Sequence, residues 1–252
     1  MRELDYVQLT RNIEGWIKNY AKNASAKGIA VGLSGGIDSA TTTALCVNAI
    51  GKENVFTFNL PCESISQDFK DAQLVANHLG VEFDKYDLTS IHKEFLNVLT
   101  PQVEPKKMAM ANLKPRLRMM TCYFIAQSKG SCLVGGTGNR TELAIGYFTK
   151  YGDGGVDFEP IGALYKCEVR EVARVLKIPE KIITKAPSAG LWEGQTDEGE
   201  IGLTYDVLDE IIYRIDNNMN FDGLNKEDIE KVKRMMDLAR HKLIMPPFFE
   251  IN

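Results

Sequence analysis

Gly28-Ile29-Ala30-Val31-Gly32-Leu33-Ser34-Gly35-Gly36-Ile37-Asp38-Ser39 passes from an unbroken apolar run straight into serines, glycines and an acid. The apolar part, Gly28 to Leu33, reads as a strand buried on both faces. Ser39 to Ile50 reads as a helix. Between them the glycines let the backbone turn sharply and bring its N–H groups close to an anion. The helix N-terminus adds the positive end of a dipole, and Ser34 and Ser39 add hydroxyl donors. Asp38 by itself would repel phosphate, so its presence points to a divalent cation between the two. Gly32, Leu33, Ser34, Gly35, Gly36, Ile37, Asp38 and Ser39 are therefore the candidate phosphate loop. No Lys follows the glycines, and no G-x-x-x-x-G-K-[ST] occurs elsewhere, which argues against a Walker-type enzyme that transfers the γ-phosphate. The competing reading is a tight strand–helix turn with Asp38 or Ser39 as a cap. Glycines, serines and an acid that all suit one anion site favour the phosphate.

Working outward, Leu9, Ile13, Trp16, Ile17 and Tyr20 recur at helical spacing and predict an opening amphipathic helix. Asn54 to Leu60 reads as a second strand, Val81 to Tyr86 as a third and Ser131 to Val134 as a fourth. Ser66 is placed to cap a helix running to Leu79. Leu113 to Gln127 reads as helical, with Pro115 tolerated in a first turn. This alternation predicts a doubly wound parallel sheet with helices on both faces, and ligands at the carboxyl ends of its strands. Beyond Gly136 the character changes: Thr137 to Gly162 reads as loop or short helix, and Val169, Val172, Ala173 and Leu176 mark a helix. Pro187 to Gly202 reads as a mobile loop. Extra C-terminal helices, about Tyr205 to Ile215 and Lys226 to Arg240, finish the chain. No repeat or Pro/Ser-rich linker divides the 252 residues, so residues 1–252 are expected to form a single domain.

A formal net charge of −4 argues against a protein that grips a nucleic-acid backbone. Cys46, Cys62, Cys122, Cys132 and Cys167 are odd in number and scattered, with no CxxC pair, so neither a zinc site nor a disulfide framework is expected. No apolar run approaches the ~18 residues of a membrane span, and no leader-like segment opens the chain. No membrane partner and a cytoplasmic location are the expectation.

The phosphate loop resembles that of the N-type ATP pyrophosphatases, among them NAD, GMP and asparagine synthetases and several tRNA-modifying enzymes. Such enzymes split ATP between its α and β phosphates, activate an oxygen as an adenylate and let a nitrogen or sulfur nucleophile displace AMP. Further stretches are similar to the ammonia-dependent NAD synthetases. They are Asn112-Leu113-Lys114-Pro115-Arg116-Leu117-Arg118-Met119; Gly136-Thr137-Gly138-Asn139-Arg140-Thr141-Glu142; Phe148-Thr149-Lys150-Tyr151-Gly152-Asp153-Gly154-Gly155-Val156-Asp157; Pro187 to Glu198; and His241-Lys242. The resemblance implies an α/β fold of the adenine nucleotide α-hydrolase type. It implies ligation of deamido-NAD with ammonia to give NAD, AMP and pyrophosphate. It also implies ATP contacts from Thr137, Lys166 and Ser188 besides the loop, Mg²⁺ on Asp38 and Glu142, and catalytic roles for Asp38 and Lys166. Deamido-NAD would meet Arg116, Lys150, Asp157, His241 and Lys242, in a homodimer.

The residues alone leave other readings open. Arg116 and Arg118 also suit a solvated helix face, and Lys150, Asp153 and Asp157 a polar turn. His241 and Lys242 suit a helix C-terminus, Lys166 a surface first turn, and Trp192 either a partner chain or the cover of a closed site. His78 and His92 read as ordinary helix residues. The phosphate loop lies too near the start for a glutaminase domain ahead of it, so free ammonia, or ammonia from a separate glutaminase subunit, is the expected donor. A tRNA-modifying relative would add a basic face or paired cysteines, and a non-catalytic ATP sensor would not need Glu142 or the Lys150 to Asp157 stretch.

Overall fold

The apolar and β-branched runs pair into one sheet in the computed structural model, which describes residues 1–190, 192 and 194–251. Strands β1 (Gly28–Gly32), β2 (Val55–Asn59), β3 (Phe83–Lys85) and β4 (Cys132–Val134) take the order β3-β2-β1-β4, every pairing parallel. β1 sets Ile29 opposite Val55 on one side and Ala30 opposite Val134 on the other. The chain builds from β1 to β3 in one direction and then places β4 on the far side of β1. The loops after β1 and β4 therefore part at this reversal and leave a crevice at the carboxyl edge, where parallel sheets bind ligands.

Helices α1 (Tyr6–Asn23), α2 (Ile37–Ile50), α3 (Ser66–Leu79), α4 (Thr89–Leu99), α5 (Lys107–Ser128), α6 (Arg140–Ile145), α7 (Lys166–Val175), α8 (Glu180–Ile183), α9 (Asp197–Ile201), α10 (Tyr205–Asp216) and α11 (Lys226–Leu243) surround the sheet. Side chains alternate along a strand, and β1 divides the core accordingly. Ile29, Val31 and Leu33 join the cluster filled by α1, α2, α3, α7 and α8. Ala30 joins the opposite cluster with Phe58, Val134 and the α5 residues Leu117, Ile125 and Ala126. A further cluster, with Tyr205, Leu208, Ile211 and Ile212 of α10 at its centre, binds α6, α10 and α11 together.

The parallel sheet, its strands and the two final helices stand where the sequence places them, to within a few residues. Four readings change. Ile65, not Ser66, holds the cap position of α3, and Ser66 is its first helical residue. Pro115 is not in a first turn: α5 begins at Lys107, and good helix formers such as Met108, Ala109 and Met110 extend it past the expected start. The proline forfeits one helical hydrogen bond but is buried, close enough to the 149–152 turn that a Cβ on Gly152 would lie 3.0 Å from its own. Thr89–Leu99, for which the sequence reading gives no element, is α4, whose apolar stripe of Ile91, Phe95, Val98 and Leu99 stays exposed. Within Pro187 to Gly202, expected as loop, Asp197–Ile201 is α9, capped by the Thr196 hydroxyl and anchored by buried Ile201. Leu191 and Glu193 of that stretch lie outside the described residues.

Ion pairs fasten α3 to the chain after α7. The buried Asp71 carboxylate accepts from Gln67 Nε2 (2.7 Å), Lys181 Nζ (2.7 Å) and Lys185 Nζ (2.8 Å). Burial alone would raise its pKa, but these donors outweigh it and hold the group at about 2. A depressed carboxylate pKa stabilises the fold above the unfolded value and stops doing so as pH falls through the folded value. The stability advantage of the wild type over Asp71→Asn should therefore shrink by about 2 kcal/mol as pH drops from about 4 to about 2. Urea unfolding at stepped pH measures it, and a difference that stays flat across that window would refute the assignment.

Candidate active site

The candidate phosphate loop is shaped by contacts on both strands beneath it. Leu33 N–H donates to the Phe58 carbonyl (2.8 Å), and the buried Asn59 amide donates to the Leu33 carbonyl (2.9 Å), which fixes the direction in which the chain leaves β1. Gly35 adopts φ +86°, and a Cβ there would lie 2.5 Å from the Asp68 carbonyl oxygen and 2.9 Å from Ala72 N. Ser39 Oγ accepts from Ser34 N–H (3.1 Å) and donates to the Gly36 carbonyl (3.1 Å), while Ser34 Oγ accepts from Gly36 N–H (3.2 Å). The two hydroxyls thus brace the loop from inside. α2 starts at Ile37 without a side-chain cap, which leaves its first N–H groups available to an anion.

Asp38, in the first turn of α2, meets two residues from the other side of the crevice. Lys166 Nζ donates to Asp38 Oδ2 (2.6 Å) and to Glu142 Oε1 (3.2 Å), and the Asn139 amide donates to Asp38 Oδ1 (3.0 Å). Asn139 and Glu142 form the capping box of α6, so one local motif both starts that helix and aims both residues at the loop. Lys166 opens α7 and is 1% exposed, so it is no surface lysine. Burial disfavours its charge, but Asp38 and Glu142 outweigh that and its pKa is raised. Burial lifts Glu142, helped by Asp38 and opposed by Lys166, to about 7. Its side chain keeps 16% of its surface open, which moderates the push.

Two acids that converge on one ammonium already cradle a cation. Their oxygen-only donor set fits Mg²⁺, which takes few carboxylates and completes its shell with phosphate oxygens and water. Among the described residues no group of three or more His, Cys, Asp or Glu is arranged to hold a metal.

Thr137, half-buried after β4, lines a small cleft with Gly138, Glu142, Phe148, Asp153 and Glu159. The Glu159 carboxylate accepts from Gly138 N–H (2.9 Å), and burial raises its pKa to about 8. Ser188 is held by its own segment: its hydroxyl donates to the Gln195 carbonyl (2.8 Å) and accepts from Gly190 N–H (3.2 Å). Arg116 Nε donates to the Lys150 carbonyl (3.4 Å), Lys150 Nζ to the His241 carbonyl, and Lys242 Nζ to the carbonyls of Gly146 (2.7 Å) and Phe148 (2.8 Å). The structure thus brings Arg116, Lys150, His241 and Lys242 together around residues 146–151. Asp157 joins none of them by a hydrogen bond among the described residues. Its carboxylate accepts from Tyr123 OH (3.0 Å) and Val134 N–H (2.7 Å), tying the 152–157 turn to β4.

Residues 9–246 match the family model described as NAD synthase. The chain belongs to the NAD synthase family. An NH(3)-dependent NAD(+) synthetase from Carboxydothermus hydrogenoformans is 46% identical over 246 residues, covering 96% of this chain and 97% of that one. One from Archaeoglobus fulgidus is 44% identical and covers 99% of both. Among solved structures, the NMN synthetase of Francisella tularensis superposes with a TM-score of 0.90 at 31% identity, covering 99% of this chain and 100% of that one. The NH3-dependent NAD synthetase of Campylobacter jejuni, in complex with nitrate, gives 0.84 at 30% identity, covering 98% and 100%.

Sequence reading of this NAD synthase missed several residues at the site. Asn139 was legible, since an Asn followed three residues later by Glu is a helix-start signature. Asn59, Lys185, Asp197 and Tyr205 carried no local signal. Their partners are remote in sequence, as with Lys185 Nζ, which donates to the Gly35 carbonyl (3.3 Å) and to Asp68 (2.9 Å).

The loop geometry predicts contrasting effects of two alanines. Gly35→Ala meets both a left-handed φ and backbone atoms, and should weaken binding of a non-hydrolysable ATP analogue by at least roughly tenfold. Gly15→Ala, in α1 with nothing within 4 Å of the new Cβ, should leave that affinity intact and stabilise the fold by up to about 1 kcal/mol. Calorimetric titration and thermal melts measure both, and equal analogue affinity in the two variants would refute the loop assignment.

Proposed function

We propose that this chain makes NAD from deamido-NAD and ammonia, with ATP split to AMP and pyrophosphate through an adenylated dinucleotide. One observation carries the reading: a buried lysine ammonium is held between Asp38 and Glu142 beside an uncapped helix N-terminus. That arrangement suits a triphosphate which loses its two outer phosphates. The family and its ammonia-dependent relatives supply the substrate class.

In this mechanism the N–H groups around Gly35, Gly36 and the start of α2 hold the β and γ phosphates, and Thr137 and Ser188 bind the nucleotide through their hydroxyls. Asp38 and Glu142 hold Mg²⁺, which when bound screens the phosphate charges from the acids and from the incoming carboxylate. Arg116, Lys150 and Lys242 supply positive charge for the dinucleotide, with His241 beside them. Asp157, held apart from them at β4 by Tyr123 and Val134, orients a ribose hydroxyl or the pyridinium. The nicotinate carboxylate attacks the α-phosphorus and pyrophosphate departs toward Lys166, whose charge offsets that developing on the leaving group. Ammonia then attacks the activated carbonyl, forming the amide and releasing AMP. Orientation of two anions is the main contribution of the protein, and no protein nucleophile takes part.

Residues 1–252 act as one domain in the cytoplasm. The working unit is a homodimer, supported by the exposed apolar stripe of α4 and by Met120 and Phe124 of α5, the latter 73% exposed. No described helix is long and apolar enough to cross a membrane. The likeness to an NMN synthetase makes nicotinate mononucleotide the competing substrate.

The test supplies ATP, Mg²⁺ and ammonium with either deamido-NAD or nicotinate mononucleotide. Deamido-NAD should react with the higher kcat/KM and give AMP and pyrophosphate in equal amounts. ADP and phosphate would overturn the chemistry, and preference for the mononucleotide would overturn the substrate. Asp38→Ala and Lys166→Met should each lower kcat by roughly a hundredfold or more, and unchanged turnover in either would remove that residue from the mechanism.

A further inference from the structure

Tyr205 and Asp197 stand between two parts of the site that the mechanism treats separately. Tyr205, wholly buried in the first turn of α10, places its hydroxyl 3.2 Å from Glu142 Oε1 and 3.0 Å from Asp197 Oδ2. Its ring lies under the Lys166 ammonium, 4.8 Å from Nζ to the centroid. Asp197, also buried, uses its other oxygen to accept from Ala189 N–H (2.8 Å), and its own N–H donates to the Pro187 carbonyl (3.1 Å). Ser188 lies between those two anchor points. The link is supported at its outer end, where the Gln195 amide (2.6 Å) and the Tyr147 hydroxyl (2.8 Å) both donate to Glu200 Oε2. Asp197 and Tyr205 touch none of the phosphate-loop residues in these contacts, so their effect passes through others.

We propose that Asp197 and Tyr205 are positioning residues that couple the Ser188 segment to Glu142, so that cation binding and nucleotide binding reinforce each other. The inference rests on the proposed roles of Glu142 at Mg²⁺ and Ser188 at ATP. Its physical basis is that a phenol has one proton to donate. With two carboxylates in reach, Tyr205 divides that proton between them. A cation on Glu142 takes over its oxygen, and the tyrosine then donates wholly to Asp197. Asp197 is thereby held in the orientation that anchors Ala189 and Pro187 on either side of Ser188. Nucleotide that settles on Ser188 acts along the same path in reverse, as linkage requires.

The test measures affinity of the full chain for a non-hydrolysable ATP analogue with and without Mg²⁺, in wild type, Tyr205→Phe, Asp197→Asn and Glu142→Gln. Tyr205→Phe keeps the ring beneath Lys166 and removes only the oxygen. Asp197→Asn keeps an acceptor for Ala189 but points an amide donor at the phenol, which fixes the hydroxyl proton on Glu142. Both should reduce the Mg²⁺-dependent gain in affinity roughly tenfold, the worth of a hydrogen bond to a charged group, while Mg²⁺-free affinity stays within about twofold of wild type. A purely structural role would lower both affinities and the melting temperature together, and that pattern overturns the coupling. Should Tyr205→Phe fail to melt cooperatively, Asp197→Asn decides alone. If Glu142→Gln abolishes the Mg²⁺ gain while both coupling variants keep it, the coupling is wrong and the site reading stands. If Glu142→Gln keeps the gain, the metal assignment fails and takes the coupling with it.

Discussion

A lysine ammonium with 1% of its surface exposed is tolerable only beside opposite charge, and Lys166 has Asp38 and Glu142 within hydrogen-bond reach. The converse also holds. Two carboxylates facing one crevice repel each other unless a cation lies between them. Removing one member of such a group leaves uncompensated buried charge, so all three positions are constrained together. Much of the architecture serves to bring them to one point: α2 supplies Asp38, α6 supplies Glu142 and α7 supplies Lys166. The parallel order of β1 and β4 sets the first two elements side by side at the carboxyl edge.

The surplus of acid over base at this point has a chemical use. With both acids ionised, Asp38 and Glu142 would outweigh Lys166 by one charge, a balance that would suit a divalent ion better than a second lysine. Glu142, whose pKa burial raises, is the more adaptable of the two. Asn139 fixes the other acid by donating to Asp38 Oδ1. The loop beside them adds backbone N–H groups and a helix end, whose partial charges remain fixed at any working pH.

What the sequence disclosed follows from how local each signal is. The strand–loop–helix of residues 28–50 and the alternation around it are nearest-neighbour patterns, and the parallel sheet with helices on both faces followed from them; the strand order came only with the structure. The sharp strand-to-helix turn at residues 34–36 was readable because consecutive glycines after an apolar run mark such a turn. The depth of Lys166 was not readable, since its burial depends on the Tyr205 ring beneath it and on acids that lie 128 and 24 residues away. Pro115 misled for a related reason: propensity places a proline at a helix start, but tertiary packing against the 149–152 turn holds it inside α5. Arg116 and Arg118, alike in sequence, part company in the fold. One is exposed beside Lys150, and the other donates to the Leu60 carbonyl (3.0 Å).

The charged trio draws its members from separate parts of the core. α2 packs into the cluster under one face of the sheet, α6 into the helical cluster of α10 and α11, and α7 lies between, with its cap residue Tyr165 in the second and Val169 in the first. Subglobal opening of either cluster would pull the acids apart while the rest of the sheet kept its hydrogen bonds. The seam between the clusters is therefore the place where the trio could be dispersed without unpairing a single strand.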